Sequence, residues 1–169
     1  MTTKLSLLLI YLFSFSRFIF SQNEAKPYVI LVSFDGFRYD YAQKYQAKNF
    51  LQMAKEGVTT KALLPCYPSK THPNHYSIVT GMKPGHHGLV DNIFYDAKTN
   101  ETFLNSNQKL ASDPKWYKGI PLWQLTQQNA MKAASFFWIA SEAPILGKYP
   151  DYYMKYGENA ATPNVECDS

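Results

Sequence analysis

A chain of 169 residues with 46% apolar and 18% charged side chains is long enough for one ordinary domain, or for part of a larger one, and too apolar to be disordered. Its formal charge of +4 shrinks once Lys4 and Arg17 are set aside with residues 1–21, because 17 basic side chains less two leaves 15 against 13 acidic, or +2. No basic cluster remains, which excludes a nucleic-acid-binding patch as the organising feature.

Taken in chain order, Lys4 followed by the apolar run "LSLLLIYLFSF" has the form of a signal-peptide core and is short for a membrane span. Small residues at Ser14, Ser16 and the Ser21–Gln22 junction suit cleavage. Residues 1–21 are therefore expected to be a signal peptide and 22–27 a short linker. The product is expected to be exported, periplasmic or extracellular, with no stable membrane span after cleavage.

The run "YVILVSF", Tyr28–Phe34, is β-branched and apolar throughout, which predicts a strand buried on both faces. It ends in "DGFR". The stretch "NFLQMAKEG" predicts a helix with Phe50, Leu51 and Ala54 on one side and Gly57 as its stop. "VTTKALLP" reads as a second strand. A helix is predicted over about His72 to Thr80, with Pro73 in its first turn and Gly81 ending it. "KPGHHG" reads as a loop and "NIFYD" as a short strand.

The stretch "KTNETFLNSNQKLASDPKW" is the most loop-like of the chain. "PLWQLTQQNAM" predicts a helix with Leu122, Leu125 and Met131 inward, and "KAASFFWIA" a strand. From Gly147 onward no closing strand or helix is evident. This alternation predicts an α/β architecture with a mostly parallel sheet flanked by helices, incomplete in this chain.

Several residues carry chemistry. Asp35 stands at the carboxyl end of the first predicted strand, where open α/β sheets bind ligands; it either caps the next element or ligates a metal. Thr71 precedes the helix-starting proline. It either caps that helix or presents its hydroxyl to an anion docked at the helix's positive end. Asn92, after a glycine-rich loop, either satisfies a turn or donates to a phosphate oxygen. His72, His75, His86 and His87 do not follow a zinc spacing. Cys66 and Cys167 form either one long-range bridge or two free thiols.

The segments "LVSFDGFRYDY", "LLPCYPSKTHPNHYSIVTGMKPGHHGLVDN" and, more weakly, "PLWQL" with "FFWIASEAPILG" resemble the ectonucleotide pyrophosphatase/phosphodiesterase family, type I phosphodiesterases of the alkaline-phosphatase superfamily. The resemblance spans residues 28–169 and matches the N-terminal part of the family's catalytic domain. It implies an alkaline-phosphatase-like α/β fold and a hydrolase of phosphodiester or pyrophosphate bonds in small nucleotide-type substrates. It further implies two Zn2+ ions and a covalent threonine intermediate. Asp35 matches a zinc-ligating aspartate. Thr71 matches the nucleophile that also bridges the metals. Asn92 matches the asparagine that, with the Thr71 amide, holds a phosphate oxygen.

Two departures qualify it. His72 stands where relatives commonly have a phenylalanine against the nucleobase, so a substrate-binding role there falls to an imidazole. In Leu122–Ser169 only Asp151 and Asp168 are aspartates, and no histidine follows His87, so the family's remaining zinc ligands have no counterpart. A zinc pair held by Asp35 and Thr71 alone is under-coordinated, and the chain is expected to be inactive by itself. Two other readings stay open at this stage. One is a phosphonate or phosphomonoester hydrolase of the same superfamily; the other is a secreted, non-catalytic remnant.

Overall fold

The computed structural model describes residues 28–155, so the expected signal peptide, the linker and Cys167 lie outside the described residues. The chain divides into two compact units, Met1–Phe34 and Asp35–Ser169. Of the first, the described part is residues 28–34.

That part corrects the sequence reading. Tyr28–Phe34 forms no strand, and its apolar side chains are exposed, Tyr28 fully and Ile30 by 88%. Apolarity and β-branching suit a residue to a strand, but hydrogen-bonded neighbours make it one. The second expected strand, at 58–65, is likewise irregular and exposed.

The second unit begins with two helices, α1 (Tyr41–Lys44) and α2 (Lys48–Glu56). Phe50 of α2 stacks on Phe37 at 5.1 Å, and Gly57 ends the helix as expected. Ala54, however, is exposed. Helix α3 (Thr71–Thr80) follows, starting one residue earlier than the sequence predicts. Gly81 closes it at φ +66, a left-handed conformation that costs glycine little and a β-carbon more. The "KPGHHG" segment is a single helical turn, α4 (Pro84–His87).

Strands β1 (Ile93–Asp96) and β2 (Glu101–Leu104) form an antiparallel hairpin that pairs Phe94 with Phe103. Its turn holds Asn100 at φ +58, where the side chain accepts from the Tyr95 hydroxyl at 2.6 Å; asparagine tolerates that region. The expected loop thus contains β2, a helical turn α5 (Gln108–Ala111) and a 3₁₀ turn Pro114–Trp116. A strand as polar as Glu101–Leu104 shows its pattern only against its partner.

Helix α6 (Leu122–Gln128) lies where expected but turned about its axis. Leu122 and Leu125 are 42% and 46% exposed, Trp123 and Gln124 are buried, and Met131 lies past the helix end. Trp123 buries more apolar surface than either leucine can. The Gln124 amide donates to the carbonyls of Ile145 and Lys148.

Strand β3 (Ala134–Phe136) pairs in parallel with β4 (Tyr152–Met154), a strand absent from the sequence reading. Asp151 holds this pair. It accepts from the Ala133 N–H at 3.0 Å, from Gln127 Nε2 at 3.1 Å and from Lys132 Nζ at 3.0 Å. The backbone N–H first, then the lysine, hold its carboxyl down to about 2. Among the described residues this is the only parallel pairing.

The core lies between α3 and the hairpin. Phe103 stacks on Phe94 at 5.2 Å and meets Trp116 edge-on at 5.6 Å, while Tyr76 of α3 meets Tyr117 at 5.2 Å. Val79, Leu89, Trp123 and Ile145 complete it. Each edge-to-face contact adds about 0.5–1.5 kcal/mol beyond the area buried. The aromatic packing thereby fixes the hairpin against the N-terminal half of α3, which positions the site.

Candidate active site

Asp35, Thr71, His72 and Asn92, separated by up to 57 positions in sequence, meet around the first turn of α3. Thr71 does not cap the helix. Lys70 occupies the cap position without a side-chain bond, and Thr71 is the first helical residue. Its hydroxyl donates to Asp35 Oδ2 at 3.2 Å in an exposed setting. Asp35 and the Thr71 hydroxyl thus face each other.

Asn92 supplies the cap instead. Its Oδ1 accepts from the His72 N–H at 3.0 Å, satisfying one of the orphan amides of a helix start. Because that partner is a donor, the Asn92 oxygen must face it, and Nδ2 is left as a donor elsewhere. Asn92 reaches this place because it directly precedes β1, where its carbonyl accepts from the Asn105 N–H at 3.1 Å. Pro73 has no N–H to satisfy. Among the described residues, neither the Thr71 amide nor Asn92 Nδ2 donates to a protein acceptor. Two donors thus remain at the positive end of a ten-residue helix, beside an exposed hydroxyl. Such an arrangement has the chemistry to take an anion.

The His72 ring turns toward the core and meets Phe103 edge-on at 6.3 Å, with Nδ1 buried and unpartnered. Burial pushes its imidazole below the ordinary histidine value. His75 donates from Nδ1 to the Thr71 carbonyl at 2.8 Å. His87 is buried: Leu89 N–H donates to its Nδ1 at 3.2 Å, so the proton sits on Nε2 and is given to Ser77 Oγ at 2.9 Å. Burial pushes this imidazole down to about 4. Cys66 is a free thiol that donates to Ser77 Oγ at 3.1 Å.

Asn74 escaped the sequence reading. Its side chain accepts from the Cys66 N–H at 2.7 Å and donates to the carbonyls of Cys66, Pro68 and Lys70 at 3.3, 3.0 and 2.9 Å. The available signal was an asparagine inside a helix, where such a residue needs backbone partners to be tolerated.

Zinc fits this site only in part. Asp35 and Thr71 offer two oxygen donors where each zinc takes about four. Among the described residues no three His, Cys, Asp or Glu side chains come together as a metal-holding set.

Comparison with known proteins supplies the context. The family model "Type I phosphodiesterase / nucleotide pyrophosphatase" matches residues 29–165. Human ectonucleotide pyrophosphatase/phosphodiesterase family member 1 is 42% identical over 143 residues, covering 83% of this chain and 15% of that protein. Bovine bis(5'-adenosyl)-triphosphatase ENPP4 is 38% identical, covering 83% of this chain and 31% of that protein. The structure of murine ectonucleotide pyrophosphatase/phosphodiesterase 5 in an inactive form, in complex with AMP, superposes with a TM-score of 0.72. It is 33% identical and covers 79% of this chain and 36% of that one. The chain therefore spans between about a seventh and a third of the length of the relatives it matches. Its fold is α/β and alkaline-phosphatase-like, represented here by small sheets and helices. By family model, sequence and structure alike, this chain belongs to the type I phosphodiesterase/nucleotide pyrophosphatase family.

Proposed function

We propose that this chain carries the nucleophile end of an active site that hydrolyses phosphodiester or pyrophosphate bonds in nucleotide-type substrates. The carrying observation is the Thr71 hydroxyl on Asp35 at 3.2 Å, beside two unpaired donors at the start of α3. The substrate phosphate docks against the Thr71 N–H and Asn92 Nδ2, which counter the charge that builds on a non-bridging oxygen. Asp35 orients the Thr71 hydroxyl. Thr71 Oγ loses its proton to solvent and forms a bond to phosphorus as the bond to the leaving oxygen breaks, giving a nucleotidyl–threonine and a leaving group that takes up a proton from solvent. Water then cleaves that ester and restores the hydroxyl. His72 packs half-buried against Phe103, and the part of its imidazole that stays exposed is what it offers a nucleobase.

A carboxylate alone is too weak a base for a threonine hydroxyl. Asp35 and Thr71 are the donors this chain gives to a zinc pair, which when bound lowers the hydroxyl's pKa. With only these donors the isolated chain is expected to turn over little or no substrate. The AMP bound to the murine relative supports a nucleotide substrate, and the sequence of residues 1–21 supports export.

The test is made on the full gene product with Zn2+ supplied. It should release p-nitrophenol from the thymidine-monophosphate ester faster than from p-nitrophenyl phosphate. Thr71→Ala should lower that rate by at least ~10³-fold. Retained turnover removes Thr71 as nucleophile, and preference for the monoester overturns the diesterase reading.

A further inference from the structure

We infer that Asn74 is a positioning residue for Thr71, an inference that rests on reading Thr71 as the nucleophile. The Cys66–Lys70 segment leads directly into Thr71, is largely exposed, and belongs to no helix or strand. Its one internal backbone bond runs from the Lys70 N–H to the Pro68 carbonyl at 2.7 Å. Asn74, one turn inside the helix, reaches back over that segment and engages it at both ends. Oδ1 takes the Cys66 N–H at 2.7 Å and faces Cys66 Sγ at 3.3 Å. Nδ2 is shared among three carbonyls, including that of Lys70, the residue before the nucleophile, at 2.9 Å.

The same Lys70 carbonyl accepts the first intrahelical bond, from the Asn74 N–H at 3.1 Å. One residue thus bonds that carbonyl through both backbone and side chain, which fixes the peptide plane whose N–H belongs to Thr71. That N–H is one of the two donors left for the anion. A clamp here sets both the direction of the Thr71 amide and the approach of its hydroxyl to Asp35. Misplacing a reacting group by about 1 Å lowers a rate about 10²-fold.

The experiment compares Asn74→Asp and Asn74→Ala in the full gene product. Aspartate keeps the size and the acceptor but removes the two N–H donors and faces three carbonyls with a charge. Melting curves establish that each variant folds; should alanine fail, aspartate alone decides. NMR couplings then report the Thr71 χ1 rotamer, and the Thr71 amide shift reports its peptide plane. Both should move in Asn74→Asp, with kcat reduced about 10²-fold and KM little changed. An unchanged Thr71 rotamer and amide shift overturns the inference whatever happens to turnover. So does an unchanged kcat in a parent enzyme that is active and depends on Thr71. If the parent shows no diester turnover, or Thr71→Ala retains it, the nucleophile reading fails by itself. The NMR arm then still decides whether Asn74 orients Thr71.

Discussion

Helix α3 meets its surroundings differently along its length. From Tyr76 to Gly81, Tyr76 and Val79 are buried, the Thr80 hydroxyl donates to the Tyr76 carbonyl at 2.7 Å, and the Ser77 hydroxyl takes donors from both His87 and Cys66. In the first turn, the Thr71 hydroxyl hydrogen-bonds only to an exposed carboxylate, while the Thr71 N–H and the Asn92 amide nitrogen have no protein acceptor among the described residues. Yet the sealed half also holds an unpaired polar atom, the Tyr76 hydroxyl. An unsatisfied donor can serve binding only where solvent or ligand can reach it; in the interior it is a defect.

Five perturbations separate the two halves, beginning with the largest. Tyr76→Ala removes the largest fully buried side chain and should lower stability by about 3–5 kcal/mol in urea unfolding. Acidification comes next. His87 has its folded pKa near 4, below the ordinary 6.5, so the unfolded chain takes up the proton first. Stability from this residue is intact above about 6.5 and declines between there and about 4, by on the order of 3 kcal/mol. Thermal melts across that range check it, and a fall in stability on going from pH 5 to pH 7 contradicts it.

Ser77→Ala strands the His87 Nε2–H and should lower stability by about 1–3 kcal/mol. The smallest effect is expected in the open half: Thr71→Val should shift stability by no more than about 0.5 kcal/mol while turnover collapses. A loss comparable to that of Ser77→Ala would mean that the first turn is sealed after all. Tyr76→Phe gives the sharpest contrast within the sealed half. Deleting a buried, unpartnered hydroxyl should leave stability level or raise it, by under about 1 kcal/mol.

Much of this helix was legible. Pro73 and Gly81 mark its two ends because the φ of proline is fixed and glycine enters the left-handed region at little cost, and both properties are local. Strand β1 and the helices α2 and α6 were legible for the same reason. What depends on partners was not. Glu101–Leu104 becomes a strand through β1, Tyr152–Met154 through β3, and Tyr28–Phe34 has the composition of a strand without the pairing. The orientation of α6 was set by Trp123 and by the carbonyls that Gln124 serves.

The candidate site divides in the same way. Its residue types were readable from the motif, whereas the Thr71–Asp35 contact spans 36 positions and the Asn92–His72 bond spans 20. No spacing rule reports such contacts. Asn74 was overlooked because its partners lie backward in an irregular segment.

The carboxylate that holds β3 to β4 has a consequence for behaviour in salt. Asp151 binds Lys132, whose side chain is 77% exposed, and also a backbone N–H. At 1 M ionic strength charges are screened beyond about 3 Å, which weakens the lysine arm, while the short hydrogen bond to Ala133 persists. The strand pair should therefore be salt-tolerant but not salt-indifferent, its residual grip in brine measuring the uncharged arms from the Ala133 N–H and the Gln127 amide.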